Sequence, residues 1–343
     1  MGKISILGGK KMSINIIDNQ SIWDTFVDDS PSGLIFHKWD FLKIVEKYSG
    51  YTLFRYGVFR GTNLIGIFPF FYHKNALFRS VFSPPPQSGI PYLGFIMNPE
   101  FDALKQDKKE THLNQVIDEM NACINSLSPN YISLSTVSNF IDMRPFKWSK
   151  FDINPKYTYM IHLDEELESI RNGFKMNLKR QLSHPDTLRL TLVPSNDLSF
   201  FYDLMKRRYE EQGLNYPVYS AEYIKELLRA YPDHMRLYYL YRENEVLGSI
   251  ITQEYKRYIT WMGNARMPDK IFGNEYIIWH LIQKAKGEGF RKFELTGADT
   301  KNLCQFKSKF NPSLEVSYEI SKNDSLGKIA RLMYINFIKK RRL

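Results

Sequence analysis

The stretch FRGTNLIGIF, Phe59–Phe68, has a counterpart in YRENEVLGSI, Tyr241–Ile250. Each begins with an aromatic residue and an arginine, passes through polar residues, and reaches an aliphatic pair followed by glycine. In both copies the glycine stands six residues after the arginine. A polar turn between apolar runs is typical of a β-hairpin, and a glycine in the returning strand indicates a bulge or a close backbone approach. We therefore expect two hairpins of one design.

The same order of elements is predicted around both hairpins, which favours a repeated module over a coincidental echo. The predicted strands are 55–60, 64–72, 131–136, 237–241, 246–255, 258–265 and 291–295, with turns at 61–63 and 243–245. The predicted helices are 37–48, 113–127, 197–212, 221–230 and 274–286, with Asp197 and Ser220 as N-caps. Helices followed by a meander of antiparallel strands, a helix and a strand predict a mixed α/β module, present twice.

Composition narrows the class of protein. A chain of 343 residues that is 43% hydrophobic is long and apolar enough for two domains with cores. It has no apolar run of about 18 residues, as a membrane span requires, and its first residues lack the pattern of a signal peptide. The two cysteines, Cys123 and Cys304, lack metal-site spacing. These features predict a cytoplasmic protein, with membrane association as a further option.

The charge balance is basic, with 47 Lys and Arg against 37 Asp and Glu. Such a balance favours anionic partners, among them nucleotides, phosphorylated carriers, RNA and acidic lipids. The alternative is a protein with a basic tail, because the run KKRR at 339–342 alone supplies four charges. Residues 323–343 are expected to form a basic amphipathic helix, which either packs on the protein or lies on an anionic membrane surface.

Four segments in the second half carry a resemblance to a known family. They are K-x-N-x-K-R at 175–180, the strand end at Trp261 and Gly263, the helix NEYIIWHLIQKAKGEG at 274–289, and FELTGAD followed by FKSKF between 293 and 310. Their order and spacing resemble the FemAB-like branch of the GNAT acyltransferase superfamily, which includes BioF2-like acetyltransferase domains. The first half resembles the N-terminal module of such proteins, including the G-x-x-P of Gly66–Pro69. The resemblance spans about residues 35–322, nearly the whole chain.

The resemblance implies tandem GNAT-like modules, each a mostly antiparallel sheet flanked by helices, in a mixed α+β fold. Residues 1–150 would form the N-terminal module, and 151–322 the C-terminal, catalytic module. In a GNAT-type site two strands part, and a backbone N–H in the gap stabilises the oxyanion of the donor carbonyl. The parting strand would be 258–265. The next helix would face the donor's phosphates, with cofactor-binding residues Arg266, Lys270, Gly273 and Asn274.

The donor and the acceptor stay open at the level of sequence. The superfamily's phosphate signature, Q/R-x-x-G-x-G/A, is absent, so the resemblance leaves acyl-CoA and aminoacyl-tRNA as donors. The alternative for the loop before Asn274 is an ordinary strand–helix connection. The residues that the resemblance places at the acceptor are Lys175, Asn177, Lys179, Arg180, Trp261 and Lys307. Three of these, Lys175, Lys179 and Arg180, are spaced to share roughly one helical face, which is equally typical of a solvated surface.

Amine acylation requires a neutral nucleophile, so a general base is useful. The candidates are Glu254, Tyr276 and Asp299, although residues of these types more often form structural hydrogen bonds than act as catalysts. The sequence has no Gly-x-Ser-x-Gly, no His-Glu-x-x-His and no Walker loop, so hydrolase, metalloenzyme and NTPase activities are disfavoured and no metal is expected.

The function predicted from these patterns is transfer of an acyl or aminoacyl group to an amine, in cell-envelope or surface-glycan biosynthesis. The acceptor would be an anionic small molecule or a lipid- or nucleotide-linked one, and tRNA would be a partner if it is the donor. The alternative is a non-catalytic tandem GNAT-like protein that binds a phosphorylated ligand or RNA.

Overall fold

The structure, a computed structural model, describes residues 12–75, 78–138, 140, 142–184, 187, 189–211, 213, 218–263 and 271–328. The chain divides into two compact units. The first is drawn from residues 1–85, 92–154 and 318–329, and the second from 86–91 and 155–317. The second unit thus includes a short segment from within the sequence of the first, and the first unit includes residues that follow the main part of the second.

The first unit is a mostly antiparallel sheet with helices packed on it. Its strands are β1 Met12–Ile16, β2 Thr52–Arg60, β3 Asn63–Lys74, β4 Arg79–Ser83, β5 Ile96–Met97 and β6 Tyr131–Ser135. Its helices are α1 Gln20–Asp29, α2 Trp39–Ser49, α3 Pro99–Ala103, α4 Gln106–Ser126 and α5 Arg144–Trp148. The strand order is β1-β2-β3-β4-β6, with β5 on β3, and only β4 and β6 pair in parallel.

The core of the first unit lies between α4 and the sheet. Apolar residues of α4 recur at helical spacing, at Leu113, Val116, Ile117, Met120 and Ile124, and all are buried. They pack with aromatic and branched residues from the strands. Each buried side chain of this size contributes roughly 1.5–3 kcal/mol of transfer free energy. The sheet closes on the last residues of β13 (Ser313–Asn323), which pair antiparallel with β6.

The second unit repeats the plan with a larger sheet. Its strands are β7 Asp152–His162, β8 Leu190–Ser195, β9 Met235–Arg242, β10 Glu245–Tyr255, β11 Arg257–Gly263 and β12 Lys292–Leu295. Its helices are α6 Leu167–Asn172, α7 Met176–Leu182, α8 Ser199–Glu211, α9 Ala221–Ala230, α10 Gly273–Gly287 and α11 Lys301–Lys307. The strand order is β7-β12-β11-β10-β9-β8, and β11 with β12 is its parallel pair. The predicted fold class, mixed α/β with mostly antiparallel sheets flanked by helices, is confirmed.

The two hairpins at 59–68 and 241–250 share a β-bulge as well as their antiparallel pairing. The register shifts once in each, so that the residue before the shared glycine is the extra one: Ile65 in β3 and Leu247 in β10. Gly66 follows the first bulge, and a Cβ there would lie 2.9 Å from the Met97 sulfur of β5. The glycine therefore allows β5 to approach β3 at the bulge.

Two local predictions needed correction. Both hairpin turns have two central residues instead of three, beginning with positive φ at Gly61 (66°) and Glu243 (55°), the geometry that suits twisted strands. Helix α4 begins at Gln106, not at the predicted 113. The prediction began too late because the first two turns of the helix are polar and carry little apolar periodicity. Ser220 is confirmed as an N-cap, accepting from the Tyr223 N–H.

Candidate functional site

The two parallel strands of the second unit separate part-way along their length. Their registered pairing covers Tyr258–Phe293 and Ile259–Glu294, while β11 continues to Gly263. Beyond that point β12 stays with β7, whose Tyr157 carbonyl accepts from the Ala298 N–H at 3.1 Å. The registered pairing of the two strands therefore ends before β11 does, within the stretch 258–265 that was expected to part. Residues 264 and 265 lie outside the described part of the chain.

A β-bulge lies in β11 at the same place. Ile251 of β10 pairs with Met262 and Thr252 pairs with Thr260, so Trp261 is the extra residue. A bulge bends its strand and redirects its backbone groups, and bulges are common beside active sites. Gly263 follows with φ of 143°, and a Cβ there would lie 2.4 Å from the Ile250 Cα. Only glycine fits at this strand end.

A series of hydrogen bonds from side chains to backbone carbonyls connects β11 and β12 where their pairing ends. The Thr296 hydroxyl, just after β12, donates to the Thr260 carbonyl at 2.7 Å. The Lys307 ammonium in turn donates to the carbonyls of Thr296 and Gly297. Thr296 thus connects the two strands where their pairing ends, and Lys307 holds the backbone of residues 296 and 297, which follow β12. Lys307 was predicted from the sequence, but both threonines were missed, because their only signal was their position at the two strand ends.

Lys307 is buried, with 8% of its surface exposed. Burial lowers its pKa to about 8, although the neighbouring Cys304, Glu294 and Asp299 act in the opposite direction. An ammonium carries three donors, of which two are used by the carbonyls. Lys307 thus brings a buried, titratable cation with a remaining donor to the end of β12. Burial of this kind is frequent among functional lysines.

The loop at residues 86–91 is held on the second unit by three side chains. Trp261 Nε1 donates to the Gly89 carbonyl at 2.8 Å, Tyr223 to the Ser88 carbonyl at 2.8 Å, and Tyr219 to the Pro86 carbonyl at 2.7 Å. The bulged tryptophan is therefore anchored through its indole as well as its backbone. Trp261 was predicted to contact acceptor, and the structure places its side chain, 8% exposed, against this loop.

The predicted acceptor helix and the predicted donor helix meet at one residue. The Lys175 N–H donates to the Lys309 carbonyl at 2.9 Å, at the start of α7. The Lys309 ammonium lies 3.1 Å from the Glu275 carboxylate, in the first turn of α10. Of the predicted donor residues, Gly273 and Asn274 form that first turn. Arg266 and Lys270 lie outside the described residues.

Helix α7 divides the predicted basic cluster into two kinds of residue. Lys179 donates from Nζ to the Asn172 carbonyl at the end of α6, at 2.7 Å, so it closes the preceding helix. Lys175, Asn177 and Arg180 are exposed. These three are available to a ligand, whereas Lys179 is engaged in structure.

The three candidate bases occupy different settings. Glu254 is buried, accepts from Thr252 at 2.8 Å and Tyr238 at 3.2 Å, and lies 3.3 Å from Arg236 Nε. Arg236 also reaches Glu288, which follows the C-terminal end of α10. A helix of 15 residues is about 22 Å long, so Glu254 is far from the start of α10. The hydrogen bonds and the ion pair of the Glu254 carboxylate indicate a structural role.

The other two candidates lie nearer to the gap. Asp299 is exposed, three residues after Thr296, and close enough to Lys307 to influence its charge. Tyr276 lies in the first turn of α10 and stacks on His280 with ring centroids 5.7 Å apart. Burial raises the pKa of Tyr276, so its hydroxyl stays protonated at neutral pH. Both remain candidates.

The described residues carry neither a metal-binding cluster nor a membrane-spanning helix. Among the described residues, no group of three or more His, Cys, Asp and Glu side chains is placed to hold a metal ion. No described helix combines the length and the apolar character needed to cross a bilayer. The greater part of the predicted C-terminal helix, from 329 onward, lies outside the described residues.

Comparison with known families identifies the fold of this region. Residues 170–308 match the family described as Acetyltransferase (GNAT) domain. This segment has the GNAT fold. The GNAT segment contains the parted strands, the bulge, α10 and Lys307. The comparison with curated proteins gives no match.

Solved structures extend the likeness over most of the chain. FemX, of the FemAB family, has a TM-score of 0.68 at 12% identity, covering 92% of this chain and 99% of its own. A tandem GNAT protein from the clavulanic acid biosynthesis pathway has a TM-score of 0.52 at 8% identity, covering 91% and 98%. The C-terminal domain of a protein assigned as a lysylphosphatidylglycerol synthetase, from Agrobacterium fabrum, has 0.56 at 11%, covering 92% and 96%. The predicted GNAT resemblance is confirmed.

Proposed function

We propose that the second unit transfers an acyl or aminoacyl group from an activated donor to an amine. The observation that carries this proposal is the parting of β11 and β12 after Ile259, beside the bulge at Trp261. A gap between parallel strands can receive a carbonyl in the plane of the sheet. The backbone of β11 can then hydrogen-bond to an oxyanion that develops there.

In the proposed reaction, the amine nitrogen attacks the donor's carbonyl carbon. The C–N bond forms, the bond to the donor's sulfur or oxygen breaks, the amine loses a proton and the leaving group gains one. Lys307 would act at this point: two of its donors fix the backbone of residues 296 and 297, and the third supplies positive charge near the departing group. Its lowered pKa, about 8, allows it to give up a proton near neutral pH.

The first turn of α10 would face the phosphates of the donor. A helix N-terminus presents backbone N–H groups and a positive dipole end to anions. Asn274 belongs to this turn, and Lys309 adds a cation that Glu275 partly neutralises. Arg266 and Lys270 would join from the preceding loop. These groups suit either acyl-CoA or aminoacyl-tRNA, because both carry phosphates.

The exposed cations Lys175 and Arg180, with Asn177, would bind the acceptor. Their exposure and charge suit a phosphate on a nucleotide- or lipid-linked amine. The name of one structural neighbour, a lysylphosphatidylglycerol synthetase, supports an aminoacyl donor and a lipid-linked acceptor, and with them a role in the cell envelope. The residues named here belong to the proposed catalytic module.

Thermal unfolding with two candidate donors tests the proposal. Acetyl-CoA and aminoacylated tRNA are each added to the full chain, and the stabilisation is about 2.7 kcal/mol at a concentration one hundred times the dissociation constant. tRNA binding should weaken steeply with salt, whereas binding of acetyl-CoA should weaken less. Native mass spectrometry of the purified protein would show a copurified donor directly.

An activity assay with an amine acceptor distinguishes a transferase from a non-catalytic binding protein. Donor binding with release of free CoA or free tRNA, and an acylated amine as product, supports the transferase. Donor binding without any acylated product would instead support a binding protein for a phosphorylated ligand or RNA. Binding of neither donor would overturn the proposal.

A further inference from the structure

The first unit contains a cavity of about 770 Å³ that the proposed transferase chemistry does not use. It is formed where β2 turns into β3, beside β5, with α3 and the first half of α4 as its walls. Sites for small molecules commonly have volumes of about 300–1,000 Å³, with mostly apolar linings and a few polar groups. This cavity has that size, and polar and apolar residues contribute equally to its lining.

Arg60, at the end of β2, brings a positive charge to the cavity. The repeated hairpin in the second unit shows what is unusual about it. There, the equivalent Arg242 forms an ion pair with Glu245 across the turn, at 3.1 Å. In the first hairpin the residue opposite Arg60 is Asn63, which has no charge. No ion pair or hydrogen bond to the Arg60 side chain is present among the described residues. Its guanidinium therefore remains available to an anion.

His112, on α4, is a second polar group in the lining. It is 7% exposed, and neither ring nitrogen has a hydrogen-bond partner among the described residues. The ring nitrogens are not themselves buried, so they are accessible to a ligand in the cavity. Burial lowers the pKa of His112, and the nearby charges of Arg60 and Lys108 lower it further. The neutral ring then offers one donor and one acceptor.

The remainder of the lining is largely apolar. Ile65, the bulged residue of β3, and Met97 of β5 lie on the sheet side, and Phe101 lies on the α3 side. Asn98 adds an amide, and the exposed Glu100 lines the cavity on the same segment. The bulge that both hairpins share therefore serves, in this copy, to direct an isoleucine and an arginine toward one space.

We propose that this cavity binds a small organic anion, with a carboxylate or phosphate held by Arg60 and His112 and an apolar body against Ile65, Met97 and Phe101. The arginine can bind either anion through two parallel N–H groups. Glu100 can accept a hydrogen bond from a hydroxyl or ammonium on the same ligand. The site uses no residue of the proposed catalytic unit, so it stands apart from the transferase proposal.

Imidazole NMR signals of the full-length protein test the site directly. The His112 signal is identified by its absence in His112→Gln, and the protein is titrated with hexanoate, hexyl phosphate and hexanol at up to about 5 mM, where weak ligands bind. We expect one or both anions to shift the His112 signal with saturation. We expect the uncharged alcohol to bind at least about tenfold more weakly, since it lacks the charged hydrogen bonds. Response to one anion alone would identify the head group.

A pair of variants localises the charge. Arg60→Gln should weaken anion binding by about tenfold or more, because it removes the charge and the paired donors. Lys74→Gln, at the far end of the neighbouring strand β3, should leave it unchanged. Circular dichroism of each variant confirms folding. The proposal fails if neither anion shifts the His112 signal, or if folded Arg60→Gln binds as tightly as the parent protein.

Discussion

The indole N–H of Trp261 donates to the carbonyl of Gly89, at 2.8 Å. Trp261 is the extra residue of the β11 bulge, so this bond ties the irregular strand to a loop from much earlier in the sequence. The bond fixes the side chain of the residue whose backbone borders the gap. It therefore contributes to the geometry of the candidate site without contributing a reacting group.

Trp261→Phe keeps a ring and removes the donor. We expect a loss of about 1–3 kcal/mol in unfolding free energy, because a partly buried carbonyl loses its partner, together with a lower kcat. Chemical denaturation and steady-state kinetics measure the two effects. Tyr219→Phe removes a bond to Pro86 in the same loop at an exposed site, and should change both quantities less. Equal effects of the two changes would contradict this account.

Gly263 is expected to be intolerant of any side chain. In Gly263→Ala the new Cβ would meet the Ile250 Cα and the Ser249 carbonyl oxygen, both at 2.4 Å and both backbone atoms that cannot move aside. We expect a loss of at least about 3 kcal/mol in unfolding free energy.

Gly213→Ala is the matched control for this change. Gly213 also has positive φ, 69°, but nothing described lies within 4 Å of a Cβ there. It should lose only the roughly 1–2 kcal/mol of left-handed backbone strain. Thermal unfolding of both variants compares them. A milder effect at Gly263 than at Gly213 would mean that the strand end is less crowded than described.

Lys307 predicts a pH dependence with a definite sign. Burial lowers its pKa from 10.5 to about 8, so the folded state loses this proton before the unfolded state does. The unfolded chain binds more protons between about pH 8 and 10.5, and the contribution of Lys307 to stability therefore rises with pH across that range. If the charged form assists transfer, kcat/KM should fall above about pH 8.

Lys307→Met should lower kcat/KM and abolish that decline. Lys309→Met, which removes the partner of Glu275, should leave the pH at which the decline occurs unchanged. Rate profiles between pH 6 and 10 measure this. An unaltered profile in folded Lys307→Met would show that another group titrates.

The basic helix α7 predicts a separation between binding and stability. Lys175→Ala with Arg180→Ala should raise KM for the acceptor while leaving the melting temperature nearly unchanged, because both side chains are exposed. Lys179→Ala should instead lower the melting temperature, since it removes the donor to the Asn172 carbonyl. Normal turnover and KM in the double variant would remove the acceptor assignment.

Glu254→Gln should act on folding more than on chemistry. The carboxylate lies 3.3 Å from Arg236 and accepts from Thr252 and Tyr238, so the substitution weakens a buried ion pair. We expect lower unfolding free energy and nearly normal kcat in the folded fraction. A loss of kcat by a factor of one hundred or so, without loss of stability, would make Glu254 a catalytic base after all.

Sequence patterns predicted the helices and strands better than the contacts that their side chains make. The hairpin echo predicted two similar strand pairs, and periodicity found α10 within one residue at each end. The N-terminal turns of α4 were missed because polar residues carry no apolar period. The parting of β11 and β12 was predicted from family resemblance, but the threonines that bridge it were not, since Thr260 and Thr296 are distant in sequence.

The side chains of the site show the same limit. Lys175, Lys179 and Arg180 look equivalent in sequence, and only the end of α6 distinguishes Lys179 from the others. Likewise Arg60 and Arg242 occupy equal places in the repeat. Their difference lies in the residue opposite each, Asn63 or Glu245, which becomes visible once the strand register is known.

Strand β13 bears on how the protein can be dissected and made. Its last residues pair with β6, although they are synthesised after nearly all of the second unit. A fragment ending at 154 would expose the β6 edge and invite aggregation. A fragment of 155–317 would lack the carbonyls that Trp261 and Tyr223 bind. On the ribosome, the β6 edge therefore lacks its partner until residues 319–323 have been synthesised.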